Sequence, residues 1–153
     1  MIPPVQFAVI GSPAPQGSHV PFKDKQGHAR IKESAKGLGP WRNAVSAAAR
    51  EQHELLGATM SGPLKLTAQF RLPMPKSRPV WMRQQGIGLC EVKPDLSKLV
   101  RAVEDAMKTG GLIADDSLIA VERLSKIEVW DGWTGVVLRV QMLDPRAFKT
   151  ELL

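Results

Sequence analysis

Acidic and basic side chains are concentrated in one short part of the chain. Asp95 precedes a short helical pattern, which two glycines and the pair Asp115-Asp116 follow. Carboxylates near the two ends of one helix, with basic side chains beside them, are the residue types that hold a hard cation against a phosphodiester. The sequence therefore predicts a divalent-metal site that acts on phosphodiesters, with these basic neighbours: Lys93, Lys98 and Arg101.

The three aspartates suit magnesium, which takes oxygen ligands and needs only one or two carboxylates besides substrate phosphate. A helix over residues 96–108 rises roughly 1.5 Å per residue, so its ends are nearly 20 Å apart. For Asp116 to meet Asp95, the chain after Gly110 and Gly111 must turn and return as a strand antiparallel to the helix. The alternative is that Asp95 caps the helix and that Asp115-Asp116 begins a strand in water.

The composition indicates one domain over residues 1–153, since 153 residues with 43% hydrophobic content can form one sizeable core. The formal charge of +6 and the pI near 9.8 favour a polyanionic partner. Basic residues gather in the first half and acidic residues from Glu91 onward. The polar segment 18–39 is either a loop that orders on a ligand or an ordinary surface loop, and these residues of it are expected to bind DNA: Lys23, Lys25 and Arg30.

Cysteine and histidine give no sign of a structural zinc site. Cys90 is the single cysteine, and the three histidines lack zinc-site spacing. The N-terminus has neither a signal-peptide pattern nor an apolar run long enough for a membrane span. We therefore expect a cytoplasmic protein without a membrane partner, in which Cys90 is a small buried hydrophobe.

Hydrophobic periodicity predicts an α+β fold with the order β-α-β-α-β-β, in which two helices pack on a mixed sheet. A bulge is expected near residues 123–125, a long loop over residues 73–90, and a hairpin turn over residues 131–135. The predicted strands cover residues 5–10, 64–72, 119–130 and 136–142, and the predicted helices begin at Trp41 and Leu96, ending at Gly57 and at Gly110-Gly111.

Residues 93–121 resemble the RusA family of Holliday junction resolvases. The family pattern is roughly Asp-x-Asp-Asn-Leu-x-Lys, then Asp-Ala-Leu, a glycine and Asp-Asp. The likeness is looser around Gly11-Ser12-Pro13 and Trp41-Arg42. The matching residues of this chain follow in the same register: Asp95-Leu96-Ser97-Lys98-Leu99-Val100-Arg101, Asp105-Ala106-Met107, Gly111 and Asp115-Asp116.

The resemblance implies a homodimer that cuts four-way DNA junctions in recombination and repair with Mg²⁺, for which Mn²⁺ can substitute. It implies that Asp95 and Asp116 bind the metal and that Asp115 supports them. Ser97 stands where the family has its second acid, and a neutral hydroxyl is a weaker ligand for a hard cation. The alternatives are a protein that binds branched DNA without cutting it, and a basic nucleic-acid module whose acids are only caps.

The family lysine is replaced by Arg101, which keeps the charge and suits bidentate phosphate binding. The expected catalytic set is thus Asp95, Ser97, Arg101 and Asp116. Arg101 is otherwise a solvated helix residue, and Asp105, four residues further on, is expected to orient it. Three tryptophans either stack on exposed bases or fill core and interface positions: Trp81, Trp130 and Trp133.

Overall fold

The computed structural model describes residues 2–17, 19–33 and 36–149. Over these residues the chain forms seven strands and three α-helices, with a 3₁₀ turn at Asp116–Leu118. The strands are β1 Val5–Ile10, β2 His19–Lys23, β3 Ala29–Glu33, β4 Leu64–Pro73, β5 Ile87–Leu89, β6 Ile119–Val129 and β7 Gly135–Met142, and the helices are α1 Leu38–Leu56, α2 Val80–Gln85 and α3 Leu96–Thr109.

Five strands form one mixed sheet in the order β1-β7-β4-β6-β5, and β2 pairs with β3 in a separate hairpin. In β4, alternate residues from Leu64 to Leu72 are buried, as expected for a strand with one face on the core. β4 pairs in parallel with β6, so the chain between them must cross over, and α3 lies in that crossover. The predicted α+β class is confirmed.

α1 and α3 pack against each other and against the sheet. The buried residues of α3 recur at intervals of three and four, which is the spacing that the sequence showed. At Gly110 an added Cβ would lie 2.6 Å from the carbonyl oxygen of Ser46, so glycine permits the close approach of the two helices. None of the described helices has both the length and the apolar character needed to cross a bilayer.

Several predicted boundaries are wrong. α1 begins at Leu38 rather than Trp41. The N–H groups of a first helical turn have no partner within the helix, so Pro40, which has no N–H, is tolerated there. The region predicted as a loop contains α2 and β5, which sequence periodicity missed because α2 buries no residue and β5 has three residues. The register shift between β4 and β6 lies at Leu64/Lys65, not at residues 123–125.

The segment 18–39 contains the β2–β3 hairpin, while residues 18, 34 and 35 lie outside the described part of the chain. In the hairpin turn, the Asp24 carboxylate accepts hydrogen bonds from the backbone of Gln26 and His28. These hydrogen bonds hold the pKa of Asp24 below its usual value, with the His28 bond as the largest cause. Residues 131–135 connect β6 to β7, but the predicted hairpin is wrong, because β4 lies between these two strands in the sheet.

A buried ion pair fixes the segment before α2 to the sheet. Glu128 on β6 is 1% exposed, and its two oxygens each accept a 2.7 Å hydrogen bond from Arg78. This bidentate bond lowers the pKa of Glu128 against the opposing effect of burial. This pair therefore ties the connection between β4 and α2 to β6, together with the 3.0 Å hydrogen bond from the backbone N–H of Met74 to the carbonyl oxygen of Val129.

Replacing Arg78 by alanine should lower the free energy of unfolding by roughly 1–2 kcal/mol, because Glu128 then loses the guanidinium that bonds both of its oxygens while it stays covered by protein. Urea unfolding at pH 7 measures this loss. Lys76→Ala, on an exposed position of the same segment, is the control and should stay within about 0.5 kcal/mol of the parent. Equal stability of the Arg78 variant and the parent would show that the pair contributes nothing.

Candidate active site on the outward face of α3

The outward face of α3 carries the charged residues, and β6 runs back along it. Glu122 on β6 hydrogen-bonds Glu104 on α3, whereas Lys126 donates a 2.8 Å hydrogen bond to the carbonyl oxygen of Pro94, just before α3. As β6 advances, its contacts therefore move toward the N-terminal end of the helix. The predicted turn after the two glycines is present, but the antiparallel return is made by β6, which begins at Ile119, after Asp116.

Asp95 lies at the N-terminal end of α3. It occupies the N-cap position, but its side chain makes no capping hydrogen bond and is 57% exposed. Its carboxylate lies 3.9 Å from the ammonium group of Lys98. Ser97, next along the same end, is exposed as well. The alternative that the Asp95 carboxylate serves as a helix cap is therefore not what the structure shows.

Asp115 and Asp116 lie beside the C-terminal end of α3 and do not begin a strand, because Asp116 starts the 3₁₀ turn. The Asp115 carboxylate lies 2.5 Å from the ammonium group of Lys108 and accepts a hydrogen bond from Ser117. These bonds lower the pKa of Asp115 to about 2, with Lys108 as the largest cause. Asp115 is thus bound within the protein, whereas Asp116 acts electrostatically on Lys108 and on Glu104.

The carboxyl group of Glu104 has a pKa raised to about 8. Burial is the largest cause, followed by the hydrogen bond that the protonated Glu104 carboxyl donates to Glu122 and by the negative charges of Glu122, Asp116 and Asp105. The carboxyl groups at this place therefore outnumber the one lysine that faces them, Lys108. The atoms available to a metal ion here are carboxylate oxygens. A hard divalent cation fits such a donor set.

Within residues 2–17, 19–33 and 36–149, no group of three or more His, Cys, Asp or Glu side chains is arranged to hold a metal ion. Asp95 precedes Glu104 by nine residues, which is about 14 Å of helix rise. The described contacts of Asp95 and of Asp116 thus lie at opposite halves of α3. An ion common to both, with Asp115 in support, stays a prediction.

Arg101 lies against the loop that follows β1. A Cβ added at Gly17, whose φ is +100°, would lie 2.7 Å from a guanidinium nitrogen of Arg101. Gln16, in the same loop, donates its side-chain N–H to the carboxylate of Asp105 and its backbone N–H to the carbonyl oxygen of Lys98. The hydrogen-bond partner that the structure gives Asp105 is Gln16, so the expected orienting role of Asp105 toward Arg101 is not observed.

The remaining predicted DNA-binding residues lie on exposed surface. Lys23, Lys25 and Arg30 are exposed on the β2–β3 hairpin, and Arg30 also lies 3.2 Å from Asp24. Lys93 is exposed just before α3. These positions agree with contacts to a polyanion, a role that stays a prediction.

The three tryptophans considered for base stacking lie on α2 and in the connection between β6 and β7. The guanidinium of Arg71 lies 4.2 Å from the ring centre of Trp133, and that of Arg83 lies 5.4 Å from Trp130. Trp81 on α2 is 60% exposed. Trp130 and Trp133 therefore already stack on arginines. Cys90 is buried as expected, with its thiol 3.5 Å from a backbone carbonyl oxygen.

A comparison with protein families matches residues 11–141 to the endodeoxyribonuclease RusA family. The chain belongs to the RusA endodeoxyribonuclease family. The match extends beyond the motif on α3 to the Gln16-Gly17 loop, the basic hairpin and the last strand. Membership implies Holliday junction resolvase activity, and resolvases of the RusA family generally depend on a divalent metal and bind branched DNA. No curated relative matches this chain.

Four residues that the structure brings to this candidate site escaped the sequence interpretation: Gln16, Gly17, Glu104 and Glu122. Glu104 carried a usable signal, because it lies seven residues after Ser97 and three after Arg101, on the same helical face. The other three come from the loop after β1 and from β6, and only the tertiary fold brings them to α3.

The raised pKa of Glu104 makes stability depend on pH. Between the ordinary value of 4.5 and about 8 the folded chain keeps a proton that the unfolded chain has released. The parent should therefore become more stable as pH falls from about 8 to 4.5, and Glu104→Gln should remove that contribution. Thermal unfolding across this range in EDTA measures the difference, with the exposed Glu54→Gln on α1 as control. Parallel curves for the parent and Glu104→Gln would contradict the raised pKa.

Gly17→Ala should displace Arg101, because the new methyl group would overlap the flexible end of its side chain. The positive φ adds roughly 1 to 2 kcal/mol of strain. Gly57→Ala is a matched control, since Gly57 has φ +72° and open space around it. Both variants should lose similar stability in urea, but only Gly17→Ala should bind a four-way junction more weakly, measured by fluorescence anisotropy. Equal affinities would show that Arg101 does not bind DNA from this position.

Proposed function

We propose that this protein is a structure-selective endodeoxyribonuclease that resolves four-way junctions with Mg²⁺, or Mn²⁺ in its place, in recombination and repair. Membership in the RusA family supports the reaction class. The observation that carries the metal dependence is the carboxylate-rich surface between α3 and β6, where the pKa of Glu104 is raised to about 8. A bound divalent cation would relieve the repulsion that raises this pKa.

In this proposal Asp116 and Asp95 hold the ion, and Asp115 supports Asp116 through its position next to it. The bound metal would supply Lewis-acid stabilisation of the phosphoryl oxygens and a nucleophile at neutral pH. The Asp115 carboxylate is paired with Lys108, whereas the Asp116 carboxylate acts electrostatically on Glu104. Asp116 is therefore the carboxylate of the two that we assign to the ion. A bound ion would offset the negative charge of Glu122 and Asp116 and would favour the ionised form of Glu104.

The basic residues hold the DNA in this proposal. Arg101 contacts a phosphate close to the scissile bond, and its place against Gly17 fixes the direction from which it reaches the strand. Lys93 and Lys98 contact the backbone at the N-terminal end of α3, and the basic hairpin contacts an arm of the junction. A homodimer would match the twofold symmetry of a four-way junction.

The second candidate function is junction binding without cleavage, and Ser97 is the observation that favours it. Ser97 is exposed at the start of α3, where a carboxylate would face the ion. A hydroxyl supplies no charge, so metal affinity depends on the remaining carboxylates. The basic surfaces are unaffected by this change, so binding would survive.

A cleavage assay with synthetic four-way junctions and linear duplex tests the proposal. We expect magnesium-dependent cutting of the junction and little cutting of the duplex. Asp116→Asn should reduce the cutting rate about 10²-fold or more while junction affinity in EDTA stays within a few fold, because a lost metal ligand removes several kcal/mol of transition-state stabilisation. Glu51→Gln, on an exposed position of α1, is the charge control.

Selective binding without cutting would support the second candidate, and Ser97→Asp should then introduce cutting. Equal affinity for junction and duplex would contradict both candidates and leave a general nucleic-acid module. An Asp116→Asn variant that cuts like the parent would remove Asp116 from the site even if the protein is a resolvase.

A further inference from the structure

A cleft of about 370 Å³ lies at the N-terminal end of α3, away from the carboxylates of Glu104 and Glu122. Its volume is within the range of small-ligand sites and is large enough for one nucleotide. The cleft lies between the loop after β1, the turn before α1 and the start of α3, and its lining residues are Pro13, Ala14, Pro15, Lys36, Lys93, Pro94, Asp95 and Lys98.

The charge of this cleft favours an anion. Three lysines line it against a single carboxylate, Asp95, a formal excess of two positive charges: Lys36 comes from the turn before α1, and Lys93 and Lys98 come from the segment at the start of α3. Lys98 lies 3.9 Å from Asp95, so part of its charge is offset, whereas Lys36 comes from a different segment, the turn before α1. The first turn of α3 adds the positive end of a 14-residue helix.

The rest of the lining is apolar and held in place. Pro13, Ala14 and Pro15 line it from the loop after β1, Pro94 lies between Lys93 and Asp95, and Ala14 is buried in the core. The backbone N–H of Gln16 donates a 3.0 Å hydrogen bond to the carbonyl oxygen of Lys98, which fixes the loop to α3. Lys126 donates hydrogen bonds to the carbonyl oxygens of Val92 and Pro94, which fixes the opposite side. The walls are therefore set before a ligand binds.

A cationic side facing a proline wall matches the two halves of a nucleotide. We propose that this cleft binds one nucleotide of the bound DNA strand, with its phosphate among Lys36, Lys93 and Lys98 and its sugar or base against Pro13 and Pro15. This inference rests on the proposed function and places a strand contact at Lys36, a residue outside the family motif on α3. It gives the strand a fixed point at one end of α3.

Lysine acetylation of the full chain, read by mass spectrometry, tests the cleft without DNA cleavage. Thymidine monophosphate should protect the three cleft lysines at least tenfold more effectively than inorganic phosphate at equal concentration, and thymidine alone should not protect them. Lys76, exposed on the β4–α2 connection, should be modified equally in every sample. Equal protection by phosphate and the nucleotide would overturn the proline contact, and no protection by either would overturn the site.

Junction binding by Lys36→Gln gives a second measurement. We expect about a tenfold weaker affinity in EDTA, since one phosphate contact is lost. The slope of log affinity against log salt concentration should also become shallower by about one. Lys76→Gln is the matched charge control. A junction with a 5′-phosphate at a nick and one with continuous strands should respond alike to Lys36→Gln. A loss confined to the nicked junction would show a terminal-phosphate site and overturn the proposal.

These outcomes separate the cleft from the proposed function. If the parent cuts junctions and Lys36→Gln binds them as tightly as the parent, the cleft proposal fails and the resolvase proposal stands. If the parent neither binds nor cuts junctions, the resolvase proposal fails, and nucleotide protection of the cleft lysines is still measured independently.

Discussion

The packing of α3 between α1 and β6 is the constraint on which the rest of the structure depends. One face of α3 is buried in the core through residues spaced three and four apart. Gly110 lets α1 approach the C-terminal end of α3 closely. Once this face is buried, the rotation of the helix is fixed. Ser97, Arg101 and Glu104 must then lie on the opposite face, where the loop after β1 and the start of β6 reach them.

The charged side chains near the C-terminal half of this face are placed unfavourably with respect to the dipole of α3. Acidic side chains gather near the C-terminal half of α3, where the negative end of the helix disfavours them, and lysines gather near its positive end. Lys108 offsets part of the cost by pairing with Asp115, yet the pKa of Glu104 is still raised. A divalent cation would stabilise the acidic half of α3, and an anionic DNA strand would stabilise its basic end. This arrangement agrees with an endodeoxyribonuclease of the RusA family.

The sequence predicted the central elements well and their neighbours less well. The helix α3 and the alternating strand β4 carry strong local signals, and both are confirmed. The turn after β6 also carried a local signal, but the predicted hairpin is wrong, because β4 lies between β6 and β7. α2 and β5 are too short and too exposed to show a period. In the site, the motif on α3 predicted Asp95, Asp116 and Arg101 as candidates. The register of β6 against α3, which places Glu122 rather than Asp116 beside Glu104, is set by tertiary packing that no local pattern encodes.

A carboxyl-resolved NMR titration of Glu104 with and without Mg²⁺ tests the central claim most directly. Without metal, Glu104 should titrate near pH 8, as its burial and its acidic neighbours require. With saturating Mg²⁺ its pKa should fall toward the ordinary value of 4.5, because the cation offsets the charges of Asp116 and Glu122. An unchanged titration of Glu104 in saturating Mg²⁺ would show that the ion does not bind at this face of α3 and would contradict the account.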